Sequence, residues 1–122
     1  MNIISVSAVT FTSNDPERLA QFYRANLGLP LMAASHGPMK RHFEGWLGEP
    51  ALGGVHLAIL KGAGGSGAVP TFRVHGIDGC VAELQAGRIE SLHPIADLGE
   101  GKRLASFRDA DGNVFRLIDL GF

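Results

Sequence analysis

The sequence predicts an α+β protein in which the order strand, helix, strand, strand, strand occurs twice. Three observations lead there. A strand-like alternation followed by a helix start opens each half, at Val9-Thr10-Phe11 before Asp15-Pro16-Glu17 and at Thr71 to His75 before Asp78. A glycine-rich run, residues 62–68, separates the halves. Within the strands, Val9, Phe11, Val55, Leu57, Ile59, Phe72, Val74, Phe115 and Leu117 share one parity and are all apolar, so that face is expected to pack beneath the helices. The opposite parity mixes polar and apolar groups (Ala8, Thr10, His56, Ala58, Thr71, Arg73, Val114, Arg116, Ile118) and is expected to meet water or line a cavity.

In the first half, Ser5 to Thr12 reads as a strand. Asp15 is placed to cap the following helix, Pro16 suits its first position, and Glu17 suits the positive end of the helix dipole. Leu19, Phe22 and Tyr23 recur at helical spacing and give it an apolar face, and Leu27-Gly28 ends it. Leu29 to Ala34 and a stretch around Arg41 to Trp46 read as strands, and so does Val55 to Lys61. Residues 62–68 read as a flexible linker. A phosphate-cradling loop would need a Gly-Lys-Ser/Thr ending and a following helix, and neither is present.

The second half repeats the order. Thr71 to His75 is a strand, Asp78 caps a short helix carrying Val81 and Leu84, and the helix stops near Gly87. Glu90 to Pro94, Lys102 to Arg108 and Val114 to Leu120 complete the strands, the last two joined by a hairpin through Asp109 to Asn113. The half-modules therefore run about 1–61 and 69–122, within one domain spanning 1–122.

Length and charge narrow the function. A chain of 122 residues with 45% apolar and 19% charged residues suits one globular domain. Its net charge of −1 and the absence of a basic stripe argue against a nucleic-acid partner. The single cysteine, Cys80, makes no internal disulfide and suits a reducing compartment. Met1 to Ser5 lacks the basic start of an export signal, and no apolar run approaches the roughly 20 residues of a membrane span. The expectation is a cytoplasmic protein with no membrane partner.

Three stretches carry a resemblance when found together in this order: the strand and helix entry Val9 to Arg18, the segment Phe22-Tyr23-Arg24-Ala25-Asn26-Leu27-Gly28-Leu29, and Asp109-Ala110-Asp111-Gly112-Asn113-Val114-Phe115-Arg116-Leu117. Over nearly its full length the chain resembles the vicinal oxygen chelate superfamily, which holds glyoxalase I, extradiol dioxygenases and bleomycin-resistance proteins. The resemblance implies two βαβββ modules forming a curved mixed sheet with a concave pocket, commonly completed by a second subunit, and hence a homodimer. It also implies a divalent metal held by His, Gln or Glu. Carried over from the Asp-Pro helix start and along the matching strands, the ligand positions fall on Ala8, His56, Val69 and Arg116. Alanine and valine offer no donor and a guanidinium cannot ligate a cation, so only His56 keeps the chemistry. No metal or other cofactor is expected.

The leading expectation is therefore metal-independent binding of a small organic ligand, similar to the bleomycin-resistance and antibiotic-sequestering branch. The candidate ligand-binding residues are His56, Arg116, Trp46, Phe43 and Arg73. His56 offers a hydrogen bond or a base, and equally suits a plain polar position on a wet sheet face. Arg116 can fork onto a carboxylate or phosphate, but an ion pair with Glu44 or Asp119 is the favoured explanation. Arg73 is similar. Trp46 and Phe43, with Met39 and His42 nearby, offer stacking surface, or else close the core or a dimer interface. The alternative function is a glyoxalase-like lyase, isomerase or epimerase using a misplaced metal site or His56 as acid and base; a further one is an interaction module with a vestigial pocket. His36, His42, His75 and His93 each read as loop or surface residues. Asp109 to Asn113 lacks the full ligand series of a calcium loop and reads as a turn. Cys80 reads as a small buried residue, and no Ser-His-Asp motif supports a hydrolase.

Overall fold

A computed structural model describes residues 2, 6–36, 39–63 and 69–122, with the side chains at 36, 39 and 40 outside the description. Most of the linker, residues 64–68, and the Ser5 end of the first predicted strand lie outside it too, as does the Met39 side chain. Two compact units emerge, Met1–Ser66 and Gly67–Phe122. Each contributes one helix and a four-stranded mixed sheet.

The first unit contains β1 (Ala8–Ser13), α1 (Pro16–Leu27), β2 (Met32–His36), β3 (Met39–Leu47) and β4 (Val55–Lys61). Its strand order is β1-β4-β3-β2, with β1 parallel to β4 and the other neighbours antiparallel. The helix begins as expected: the Asp15 carboxylate accepts from the Arg18 amide at 3.2 Å and Pro16 takes the first position. It ends on Gly28 at φ 68°, where the Gly28 N–H reaches the Arg24 carbonyl. Leu19, Ala20 and Tyr23 are buried, and Tyr23 stacks on Phe11 of β1 at 6.3 Å.

The second strand starts later than the predicted Leu29. Leu29 and Leu31 are buried in a connecting segment, and Arg24 donates to the Leu31 carbonyl at 2.7 Å. That segment presses on β3 at Gly45, where an added Cβ would lie 1.7 Å from the Pro30 carbonyl oxygen. Only glycine permits so close an approach.

The second unit contains β5 (Thr71–Arg73), α2 (Ile77–Ala86), β6 (Ala96–Gly99), β7 (Lys102–Arg108) and β8 (Val114–Asp119), in the order β5-β8-β7-β6. Ile77, Val81 and Leu84 of α2 are buried with Ala105, Phe107, Phe115 and Leu117 of the sheet, and Phe107 stacks on Phe115 at 5.5 Å.

Two expectations fail here for clear reasons. Asp78 does not cap α2: its carboxylate forks onto Arg103 at 2.6 and 2.9 Å, which holds its pKa below the ordinary value. The first amides of α2 are held instead by Asp119 of β8, which accepts from Gly76 at 3.1 Å and Ile77 at 3.3 Å. The predicted strand Glu90–Pro94 is also displaced. Leu92 donates to the Ser106 carbonyl, but Pro94 has no N–H to continue the ladder, so regular pairing begins at Ala96. The hairpin after β7 stands, with Asp109 accepting from the amides of Asp111 and Asn113 at 2.9 Å each and Gly112 at φ 81°.

Candidate functional site

Strand alternation sorts the candidates of the first unit. On β3, Phe43 is buried beside its pairing partner Ile59, on the core side. Phe43 therefore does not share a face with Trp46: it closes the core, the alternative the sequence left open for it, and is not on the face proposed for a ligand. His42, Glu44 and Trp46 occupy the other face, with His56 of β4 directly opposite Trp46 in the ladder.

These side chains form one network. Glu44 sits between two imidazoles, with Oε1 2.8 Å from Nε2 of His42 and Oε2 2.6 Å from Nε2 of His56. With Glu44 ionised, both ring nitrogens donate. His42 is buried at 2% exposure, contrary to its reading as a surface histidine, and forms the floor of the network. His56 and Glu44 are partly exposed. Since Nε2 of His56 carries the proton toward Glu44, its Nδ1 presents a lone pair in the neutral ring, oriented by the carboxylate. Trp46 meets His56 edge-on at 5.2 Å and stays 43% exposed, and Met32, the pairing partner of Glu44, is also exposed.

In the second unit, the parallel pairing of β5 and β8 sets Thr71 beside Arg116, just as β1 and β4 set Ala8 beside His56. Val69 lies outside the strand, so the position matching Ala8 is Thr71, a correction of two residues. Arg116 does not form the expected ion pair with Asp119, whose carboxylate is taken by the amides of Gly76, Ile77 and Gly121, contacts that lower its pKa. Arg116 is exposed, and its guanidinium makes no hydrogen bond or ion pair among the described residues. Arg73 is engaged: it donates to the Phe122 main-chain oxygen at 2.7 Å and lies 4.9 Å from that ring's centroid.

A second histidine network escaped sequence reasoning. His93 Nε2 lies 2.8 Å from the Ser106 hydroxyl, and its Nδ1 lies 2.7 Å from the Pro94 carbonyl. The two residues are brought together by the 91–95 stretch running along β7, a contact with no local sequence signature. Beside it, the 91–95 stretch and α2, through Val81 and Gln85, border an open groove of about 520 Å³. Cys80 donates weakly to the His75 carbonyl, and burial with nearby Glu83 and Asp119 raises its pKa, so it is no activated thiolate. Among the described residues, no group of three His, Cys, Asp or Glu side chains is arranged to hold a metal ion, and no helix is long and apolar enough to cross a membrane.

Comparison with known proteins agrees with this architecture. TnmS3, an antibiotic binding protein from Streptomyces sp. CB03234, superposes with a TM-score of 0.75 at 24% identity, covering 98% of each chain. An integron cassette protein from the mobile metagenome of the Halifax Harbour sewage outfall gives a TM-score of 0.74 at 18% identity, over 97% of this chain and 100% of that one. A glyoxalase/bleomycin resistance protein/dioxygenase superfamily member from Sphaerobacter thermophilus gives 0.71 at 22% identity, over 96% and 98%. At these identities the likeness shows a shared fold. Among curated proteins no sequence matches. The family model for the Glyoxalase/Bleomycin resistance protein/Dioxygenase superfamily matches residues 5–117, and with the doubled βαβββ order this chain belongs to that superfamily.

Proposed function

We propose that this protein binds a small planar organic ligand without a metal, on the face of the first sheet that carries Trp46 and His56. The observation that carries the proposal is the Glu44 carboxylate held between His42 and His56, which fixes the His56 ring against an exposed tryptophan. A ring oriented this way offers one directed polar atom beside a stacking wall, the combination small-molecule sites use. That TnmS3, a protein of this fold, is an antibiotic binding protein supports a small-molecule ligand. Considered by itself, the second sheet offers an anionic ligand Arg116, whose guanidinium is uncommitted among the described residues, and Arg73 when Phe122 releases it. The proposal treats residues 1–122 as one domain of a cytoplasmic homodimer, paired through edge strands of its sheets, which sedimentation tests.

Trp46 is the only tryptophan, so its fluorescence reports on the site directly. Titration with planar aromatic antibiotics after treatment with a chelator should give saturable quenching with at least one, and His56→Ala should abolish the titration, each variant being read against its own ligand-free emission because His56 packs on Trp46. Absence of quenching across the panel, or quenching that requires added metal, overturns the proposal.

A second function is favoured by the Glu44–His56 contact itself. A carboxylate-oriented imidazole is the base of an isomerase or epimerase, removing a proton beside a carbonyl. Deuterium uptake from solvent into a bound keto compound, lost in His56→Ala, distinguishes turnover from binding.

A further inference from the structure

The second unit holds a serine–histidine pair that the ligand-binding proposal does not use. The Pro94 carbonyl only accepts, so His93 Nδ1, 2.7 Å away, carries the ring proton. In the neutral ring Nε2 then bears the lone pair, and the Ser106 hydroxyl at 2.8 Å donates to it. A serine hydroxyl donating to an imidazole whose other nitrogen is fixed by an acceptor has the logic of an activated nucleophile and its base. Arg116 is the cross-strand partner of Ser106, so the two side chains leave the sheet on the same face, with Cβ atoms about 5 Å apart. Its guanidinium has no other partner among the described residues. Ser106 itself is 4% exposed, which shields its hydrogen bond to His93 from competing water.

We infer that Ser106 is an acyl-accepting nucleophile for activated esters of small carboxylic acids, with His93 as its base and Arg116 beside the developing oxyanion. With p-nitrophenyl acetate, Ser106 Oγ bonds the acetyl carbon while its proton passes to His93 Nε2. The bond to p-nitrophenolate breaks, that group leaves with the electron pair, and His93 Nε2 releases its proton to solvent, which restores its lone pair. Water then attacks the acetyl-serine, giving a proton to His93, and acetate departs as Ser106 Oγ recovers its proton.

The test is intact-mass and peptide-mass analysis after exposure to p-nitrophenyl acetate and, separately, to diisopropyl fluorophosphate, which loses fluoride to form a stable phosphoryl-serine. The expected result is one adduct per chain on Ser106, absent in Ser106→Ala. His93→Ala and His93→Gln should slow its formation by about a hundredfold, and Arg116→Ala by about tenfold. The proposal is overturned if no adduct forms, if the adduct maps elsewhere, or if loss of His93 leaves its rate unchanged; His93 then only ties the 91–95 stretch to β7. If Ser106→Ala does not fold, adduct mapping on the unaltered protein decides alone.

Discussion

In the first module the β4 residue beside Ala8 is His56, and it is drawn into a network with Glu44, His42 and Trp46. In the second module the residue in the matching register of β8 is Arg116, beside Thr71, and none of the described residues takes its charge. The backbone is doubled but the chemistry is not. One face presents an oriented imidazole and an aromatic edge, the other a bare guanidinium near a serine–histidine pair. The difference shows that this fold prescribes where side chains project, whereas residue identity at a few matched positions decides what they do.

The modules also differ in how tightly they are braced. In the first, the Leu29–Leu31 segment lies against β3 at Gly45, and an added methyl would meet the Pro30 carbonyl. Gly45→Ala should destabilise the protein by about 3 kcal/mol or more, read from the urea midpoint. A smaller loss would mean that the segment yields easily.

The two histidine networks should separate in energy as well. Glu44→Ala removes the carboxylate that both His42 and His56 contact, and should cost about 2 kcal/mol. Ser106→Ala removes one neutral hydrogen bond and should cost about 1 kcal/mol. Equal losses in chemical denaturation would erase the distinction between a charge-centred network and a neutral pair.

Asp119 offers a pH-dependent comparison of helix starts. Asp15 caps α1 from the adjoining residue, whereas α2 relies on Asp119 from a distant strand. Amide donors hold the Asp119 pKa below the ordinary 3.8, so the folded state binds its proton more weakly than the unfolded chain. The stabilisation is complete above the unfolded value and is lost as pH falls through the lower folded value. Asp119→Asn should therefore lower the melting temperature at neutral pH, with the gap to the unaltered protein closing in acid below that range. A gap that persists unchanged would assign the effect to amide geometry rather than charge.

Much of this architecture was legible because it is written in local signals. Asp15-Pro16 and Gly28 fix α1, the parity of Leu57 and Ile59 fixes β4, and Asp109 to Asn113 fixes the last hairpin. What was illegible depends on residues distant in the chain. The cap from Asp119, the burial of His42 beneath Glu44 and the meeting of His93 with Ser106 are tertiary contacts without a spacing rule. Phe43 and Trp46 suit either a stacking surface or closure of the core, and their odd spacing on one strand divides those roles: Phe43 is buried in the core and Trp46 is exposed.

Arg116 gives the smallest expected effect on stability and for that reason the sharpest comparison. An exposed cation without a partner among the described residues contributes little to folding, so Arg116→Ala should change stability by no more than about 0.5 kcal/mol. Replacing His56, which is tied to Glu44 and packed against Trp46, should cost about 1 kcal/mol. Binding should reverse this order for an anion: a small aromatic carboxylate followed by nuclear magnetic resonance should shift amides of β8 in the unaltered protein and not in Arg116→Ala. A stable variant that keeps the shifts would place the anion elsewhere. An unstable variant would reveal a structural partner for Arg116 and remove the contrast between the two faces. Stability retained with binding lost would mean that the matched positions divide the work, His56 holding its own module's network together and Arg116 left free for a ligand.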